Sequence, residues 1–131
     1  MKDLLCDQFQ ADVESHLIRH KSVLDTMTKL TEANARVGRA LAKAVAECGC
    51  IKVVASRQTF PEDIPLEQLS QHADSHLRGQ LCDSCREALE EEIGQTLFYL
   101  TGVASNVGIS VYDCLLKEHQ KITTLGSFNL F

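Results

Sequence analysis

The sequence predicts an all-α protein, a bundle of four to five helices in a single domain over residues 1–131. Three observations carry that expectation. Apolar residues recur at alternating gaps of three and four over long stretches, which is the period of a helix with one apolar face. No stretch alternates residue by residue as a half-buried strand does. The 131 residues are 44% hydrophobic and 24% charged, a balance that suits one globular domain.

Each element follows from this pattern. The segment 1–30 reads as N-terminal helix, with Val13, Leu17 and Leu24 in phase and His16 and His20 on or near the stripe. The helix proper is expected over about residues 9–29, ending at the candidate caps of Thr31-Glu32-Ala33-Asn34. Met27, Leu30, Asn34, Val37, Leu41, Ala44, Cys48 and Ile51 share one stripe, which predicts a second helix over about residues 33–57. On this reading the β-branched Ile51-Lys52-Val53-Val54 continues the helix. Residues 58–83 form a connection carrying histidines and cysteines. It opens with Pro61 and Pro65, holds a short helix near 66–77, and has Gly79 as the stop. A strong helix is expected over about 84–107, with Leu89, Ile93, Leu97, Leu100, Val103/Ala104 and Val107 on one face. Phe98 lies almost opposite, either a second packing surface or a singly exposed ring. Gly108 suits a left-handed cap, and Ser110 can cap a last helix of about 110–123. The apolar tail from Leu125 to Phe131 is expected to dock on the body.

Composition excludes several classes. There is no run of about 18 apolar residues to span a membrane. The first twenty residues carry Asp3, Asp7, Asp12 and Glu14 and no apolar signal core, which predicts a cytoplasmic protein. A net charge of −5 and the lack of any basic–aromatic pattern argue against nucleic acid as partner. No glycine-rich phosphate loop or nucleophile elbow is present. In a reducing compartment the six cysteines read as metal ligands, redox groups or core residues.

Three motifs can carry chemistry. In Glu90-Glu91-Glu92-Ile93-Gly94-Gln95, acids on a helix wall can hold a hard cation such as Mg²⁺, or can simply complement the helix macrodipole. In Ala46-Glu47-Cys48-Gly49-Cys50-Ile51, Glu47 and Cys50 share a face. Cys48 and Cys50 point roughly 160° apart on an unbroken helix, so they chelate one ion only if Gly49 breaks it. Cys82-Asp83-Ser84-Cys85 can chelate zinc or form a redox pair near a helix N-terminus. Joined with Cys48 and Cys50 it makes a candidate Cys₄ site for zinc or iron, with His76 as an alternative fourth ligand. Cys6, Cys114 and the His16/His20 pair read as bystanders.

The stretch Glu91-Glu92-Ile93-Gly94-Gln95-Thr96-Leu97-Phe98-Tyr99-Leu100, followed by Gly108-Ile109-Ser110 and Asp113-Cys114-Leu115-Leu116-Lys117, resembles the second half of a MazG-type nucleoside triphosphate pyrophosphohydrolase. Ala46–Ile51 is similar to that family's first metal-binding helix. The resemblance implies an all-α fold, a homodimer, and cleavage of nucleoside triphosphates to monophosphate and pyrophosphate. It implies metal-ligating or catalytic roles for Glu47, Glu92 and Glu91, with Lys117 on the phosphates. The pattern departs at Cys50 and Gln95, where the family places carboxylates, and at Gln120 and Thr123, where it places Asn and a basic residue. The thiol shifts metal preference from Mg²⁺ toward thiophilic ions. Three readings follow: a pyrophosphohydrolase with a remodelled metal centre; a non-catalytic binding or regulatory module stabilised by a cysteine-held zinc; and a thiol redox sensor using Cys82 and Cys85.

Overall fold

The computed structural model describes residues 4–125. They form a mostly helical chain, with five α-helices and one small two-stranded sheet. Helix α1 is Leu4–His16 and α2 is Val23–Lys43, continued by one π-helical turn over Ala44–Cys48. Strand β1 (Ile51–Val53), a 3₁₀ turn (Leu66–Gln68), α3 (Leu69–His72) and β2 (Leu77–Gly79) make up the connection. Helices α4 (Asp83–Asn106) and α5 (Val111–Leu125) complete the described chain.

The first break falls earlier than the sequence pattern suggested. Thr31 does not cap a helix, because its hydroxyl donates to the Met27 carbonyl one turn back, at 3.2 Å. The chain breaks instead at 17–22, and Ser22 takes the extended N-cap conformation before α2. Thr26 fixes this corner. It is fully buried, its hydroxyl donates to the carbonyls of Ser22 and His20, and Asn106 Nδ2 donates to its oxygen. The second break also differs: helix ends at Cys48, with Gly49 left-handed at φ 80, and Ile51-Lys52-Val53 is strand. It pairs antiparallel with β2, Ile51 opposite Gly79 and Val53 opposite Leu77. Gly79 is therefore a sheet residue at φ 90 rather than a helix stop. A Cβ there would lie 2.6 Å from the Cys50 carbonyl oxygen, so only glycine fits. The expected helix at 66–77 is confined to the 3₁₀ turn and α3. Beyond them Asp74 takes over, accepting from the His76 amide at 2.9 Å and from Arg78 at 2.7 and 3.0 Å.

The remainder matches the pattern closely. Helix α4 lies within a residue of expectation, Gly108 is left-handed at φ 71, and the Ser110 hydroxyl accepts from the Asp113 amide at 3.3 Å. The proposed docking of the tail lies beyond Leu125, outside the described residues.

Helices α2 and α4 form the dominant contact and run antiparallel. Thr26 near the start of α2 meets Asn106 at the end of α4, and Cys48 meets Cys82 at the other end. Small residues line the seam: Ala33 on α2 and Ala44 in the π turn after it are buried, as are Thr101 and Gly102 on α4. A Cβ on Gly102 would meet Leu17 and Thr26 at 3.1 Å, so the helices and the 17–22 corner are in close contact. Buried Val13 and Leu17 join this core from α1 and the corner.

Many of the large aliphatic side chains stay outside the core. Met27, Leu41, Ile93, Leu97, Leu100 and Val107, members of the stripes seen in the sequence, are exposed, while Leu30, Val37, Leu89 and Val103 are half-buried. With 100° per residue and antiparallel axes, the aliphatic flanks of α2 and α4 fall on the same side of the pair. The opposite flank of α2 carries Lys29, Arg36, Arg39, Lys43 and Glu47. The pair thus has one apolar side and one charged side. Phe98, placed opposite the apolar stripe, is half-buried and packs edge-on against Tyr99 with ring centroids 5.1 Å apart.

Candidate metal centre

The π turn and Gly49 resolve the problem posed by Cys48-Gly49-Cys50. A π turn holds one residue more than an α turn and re-aims the side chains after it. Gly49 then reverses the backbone, and the Gly49 amide donates to the Ala44 carbonyl at 2.9 Å. Cys48 leaves the helix end and Cys50 enters the hairpin with both sulfurs on one side. Cys50 Sγ lies 3.9 Å from the Ala44 carbonyl oxygen. The hairpin sets Cys50 beside Gly79, three residues ahead of Cys82. Cys82 is the N-cap of α4, and its sulfur accepts the Cys85 amide at 3.4 Å.

The result is one cluster: Sγ of Cys48, Cys50, Cys82 and Cys85 all lie within 4.8 Å of one another. Cys48 Sγ and Cys82 Sγ are 3.8 Å apart. A tetrahedral zinc with Zn–S bonds of about 2.3 Å sets its sulfurs about 3.8 Å apart, which the Cys48–Cys82 pair already matches while the other thiols lie close enough to complete a Zn(Cys)₄ shell. The donor set is soft, which suits zinc or iron and not Mg²⁺. The thiols already bias one another. The Cys85 amide, and then its thiol, stabilise the Cys82 thiolate and bring Cys82 down to about 7. The hydrogen bond to Cys82, then burial, push Cys85 up to about 12. Four thiolates do not coexist here without a cation, so a metal that enters must expel protons.

Not all the candidate residues join this centre. His76 stays apart, with φ 62 and its Nε2 3.4 Å from Gln58 Nε2, and Gln58 in turn donates to the Asp74 carbonyl at 2.6 Å. Cys6 and Cys114 lie outside the cluster. His16 Nδ1 engages the Asp12 carbonyl of its own helix, and His20 Nδ1 pairs with Asp25 at 2.6 Å.

Beside the cluster, on the charged side of the α2–α4 pair, is an open cavity of about 450 Å³. Cys48, Cys85, Glu47 and Glu92 line it together with Arg36, Arg39 and Lys43. Glu92 is half-buried, and its Oε2 is buried without a hydrogen-bond partner. Arg39 is only loosely paired to Glu47, at 3.8 Å, while Arg36 is engaged by Glu32 at 2.6 Å. Glu91 is exposed and does not line the cavity, and Lys117 is exposed on α5, which packs on α1. Sequence reasoning overlooked the three cations. Their spacing, with Glu47 next at i+4 from Lys43, already places them on one flank of α2.

No known protein family, curated protein or solved structure matches the chain. Among the described residues no helix is long and apolar enough to cross a membrane.

Proposed function

We propose that this protein is a metal-stabilised helical module on a MazG-like scaffold, cytoplasmic, with zinc (or iron) held by Cys48, Cys50, Cys82 and Cys85. The observation that carries this reading is the convergence of four thiols from the end of α2, the hairpin and the start of α4 to within 4.8 Å of one another. Metal there ties together three segments of the chain, and binding energy at such a site is folding energy. Elemental analysis of the purified protein tests it. About one zinc or iron per chain, lost in Cys82→Ser, supports the assignment; a metal-free protein with a full cooperative unfolding transition defeats it.

A second reading, nucleoside triphosphate pyrophosphohydrolysis, draws support from the cavity. Glu47 and Glu92 line it with Arg36, Arg39 and Lys43, and the unpartnered Glu92 oxygen is a vacant acceptor for a cation. Mg²⁺ between the two carboxylates would leave the cations for phosphate oxygens. Pyrophosphate release from a panel of nucleoside triphosphates with Mg²⁺, Mn²⁺ and Zn²⁺ decides it: turnover abolished by Glu92→Ala supports hydrolysis, and no turnover with any pairing removes it.

The module works as a homodimer on this proposal, its bundle completed by a second copy on the apolar side of α2 and α4. The chain presents 9911 Å² to solvent. A folded monomer of 14.5 kDa is expected to present about 6,900 Å². Among the exposed large apolar side chains are Met27, Ile93, Leu97 and Leu100, on that side of the pair. Sedimentation of wild-type and Leu97→Glu protein tests this. A dimer that the substitution converts to monomer supports the interface; a monomeric wild-type protein overturns it.

A further inference from the structure

We propose that the cysteine centre is an oxidant-controlled clasp: a hydroperoxide converts Cys48 and Cys82 into a disulfide and expels the metal. This rests on the metal reading above and adds its regulation. Two features single out the pair. Cys48 is the exposed member of the four and, with Cys85, lines the cavity, so a small oxidant reaches its sulfur from solvent. Cys82 comes from another helix, 34 positions along the chain, and its sulfur is 3.8 Å from that of Cys48. A disulfide needs about 2.05 Å, so the sulfurs must close by a little under 2 Å. Gly49 adjoins Cys48, and a Cβ there would meet nothing, so the backbone has room to move.

The chemistry balances without a further reagent. The Cys48 thiolate attacks one peroxide oxygen; an S–O bond forms, the O–O bond breaks, and hydroxide (or alkoxide) leaves and takes a proton. The product is a sulfenic acid. The Cys82 thiolate then attacks the Cys48 sulfur; the S–S bond forms, S–O breaks, and a second hydroxide leaves as water. Two thiolates supply the two electrons that reduce the peroxide. The metal loses two of its four ligands and departs. A dithiol reductant followed by metal restores the starting state.

The pairing separates this clasp from a Cys82–Cys85 switch. A Cys82–Cys85 bond would close a loop inside the first turn of α4 and leave α2 free. A Cys48–Cys82 bond crosslinks the two long helices at the end where the metal had joined them, so oxidation exchanges one tether for another.

The test treats zinc-loaded full-length protein with hydrogen peroxide, follows zinc release with a chromophoric chelator, and maps disulfides by non-reducing peptide mass spectrometry. The expected result is one zinc released and one Cys48–Cys82 bond formed per chain, both reversed by dithiol plus zinc. Zinc retained under peroxide, zinc released with sulfinic or sulfonic acids, or a Cys82–Cys85 bond each overturns the clasp while leaving the metal assignment intact. Should the protein bind no zinc, the same mapping on the metal-free chain still decides the pairing: a Cys48–Cys82 bond upholds it, and any other pairing or none refutes it.

Discussion

Replacing Gly79 by alanine perturbs the fold and the metal centre through one atom. At φ 90 the backbone is in a region that an L-residue enters at a cost of about 1–2 kcal/mol. The new Cβ would sit 2.6 Å from the Cys50 carbonyl oxygen, below any real contact distance, and that oxygen is backbone. The hairpin must open by several tenths of an ångström, an overpacking cost of about 1–3 kcal/mol. The total is about 2–5 kcal/mol, set against a stability of about 5–15 kcal/mol for a typical domain. At about 3–5 °C per kcal/mol for a chain of this size, the thermal midpoint should fall by about 6–25 °C. Because the moved atom belongs to Cys50, bound zinc should also fall below one per chain at limiting metal. Gly94→Ala is the control. Gly94 sits inside α4 with open space around its Cβ, so alanine there should stabilise by about 0.5–1 kcal/mol. Calorimetry and metal titration on both variants give the answer. A Gly79→Ala protein as stable and as metal-replete as wild type would show that the hairpin neither requires glycine nor positions Cys50.

Four further outcomes are expected. Metal binding releases protons, Cys85 being held up at about 12, so zinc affinity should fall by roughly tenfold per pH unit for each proton released as pH drops below neutrality, read by competition with a chelator. Asp74 is held well below the usual carboxylate value, first by the hydrogen bond from Arg78 and then by the His76 amide. Its contribution is whole above the ordinary carboxylate pKa and is lost as pH falls through the depressed folded value, so Asp74→Asn and wild type should converge in stability only in strong acid. Leu17→Ala removes a buried side chain at the corner of α1, α2 and α4 and should cost about 2–5 kcal/mol by denaturant unfolding, without changing metal content. Lys43→Ala should weaken binding of inorganic pyrophosphate to the cavity by about 10- to 150-fold in calorimetric titration if the cations serve phosphate, the loss of one charge-assisted hydrogen bond of about 1.5–3 kcal/mol.

How much of this was legible in the sequence varies by element. Helix α4, the Gly108 cap and Ser110 were readable because their signals are local: an unbroken period, a glycine after it, then a hydroxyl. The membership of the cysteine cluster was readable because two short-spaced pairs leave few partners. The break at 17–22 was missed because Thr26 makes it through carbonyls of a corner that exists only once α4 supplies Asn106. The strand at Ile51 was missed because its β-branched residues happen to extend a helical phase, and its partner is a lone three-residue strand 24 residues on. The aliphatic stripes were legible, but the exposure of Met27, Ile93, Leu97 and Leu100 was not foreseen. Periodicity identifies an apolar face; it does not say whether the same chain covers it.

The π turn at Ala44–Cys48 is, in terms of chain register, a single inserted residue. Upstream of it α2 keeps one phase, the phase that sets Thr26 and Ala33 against α4. Downstream, everything is rotated by about 100° relative to an unbroken helix. The seam and the thiols therefore obey two different clocks, and the extra residue is the gear between them. A one-residue deletion here would leave the seam in place and swing the cysteines after the turn off their stations. Assembly of the helix pair and assembly of the metal shell are thus separable by a change of length alone, with no change in the chemistry of any residue.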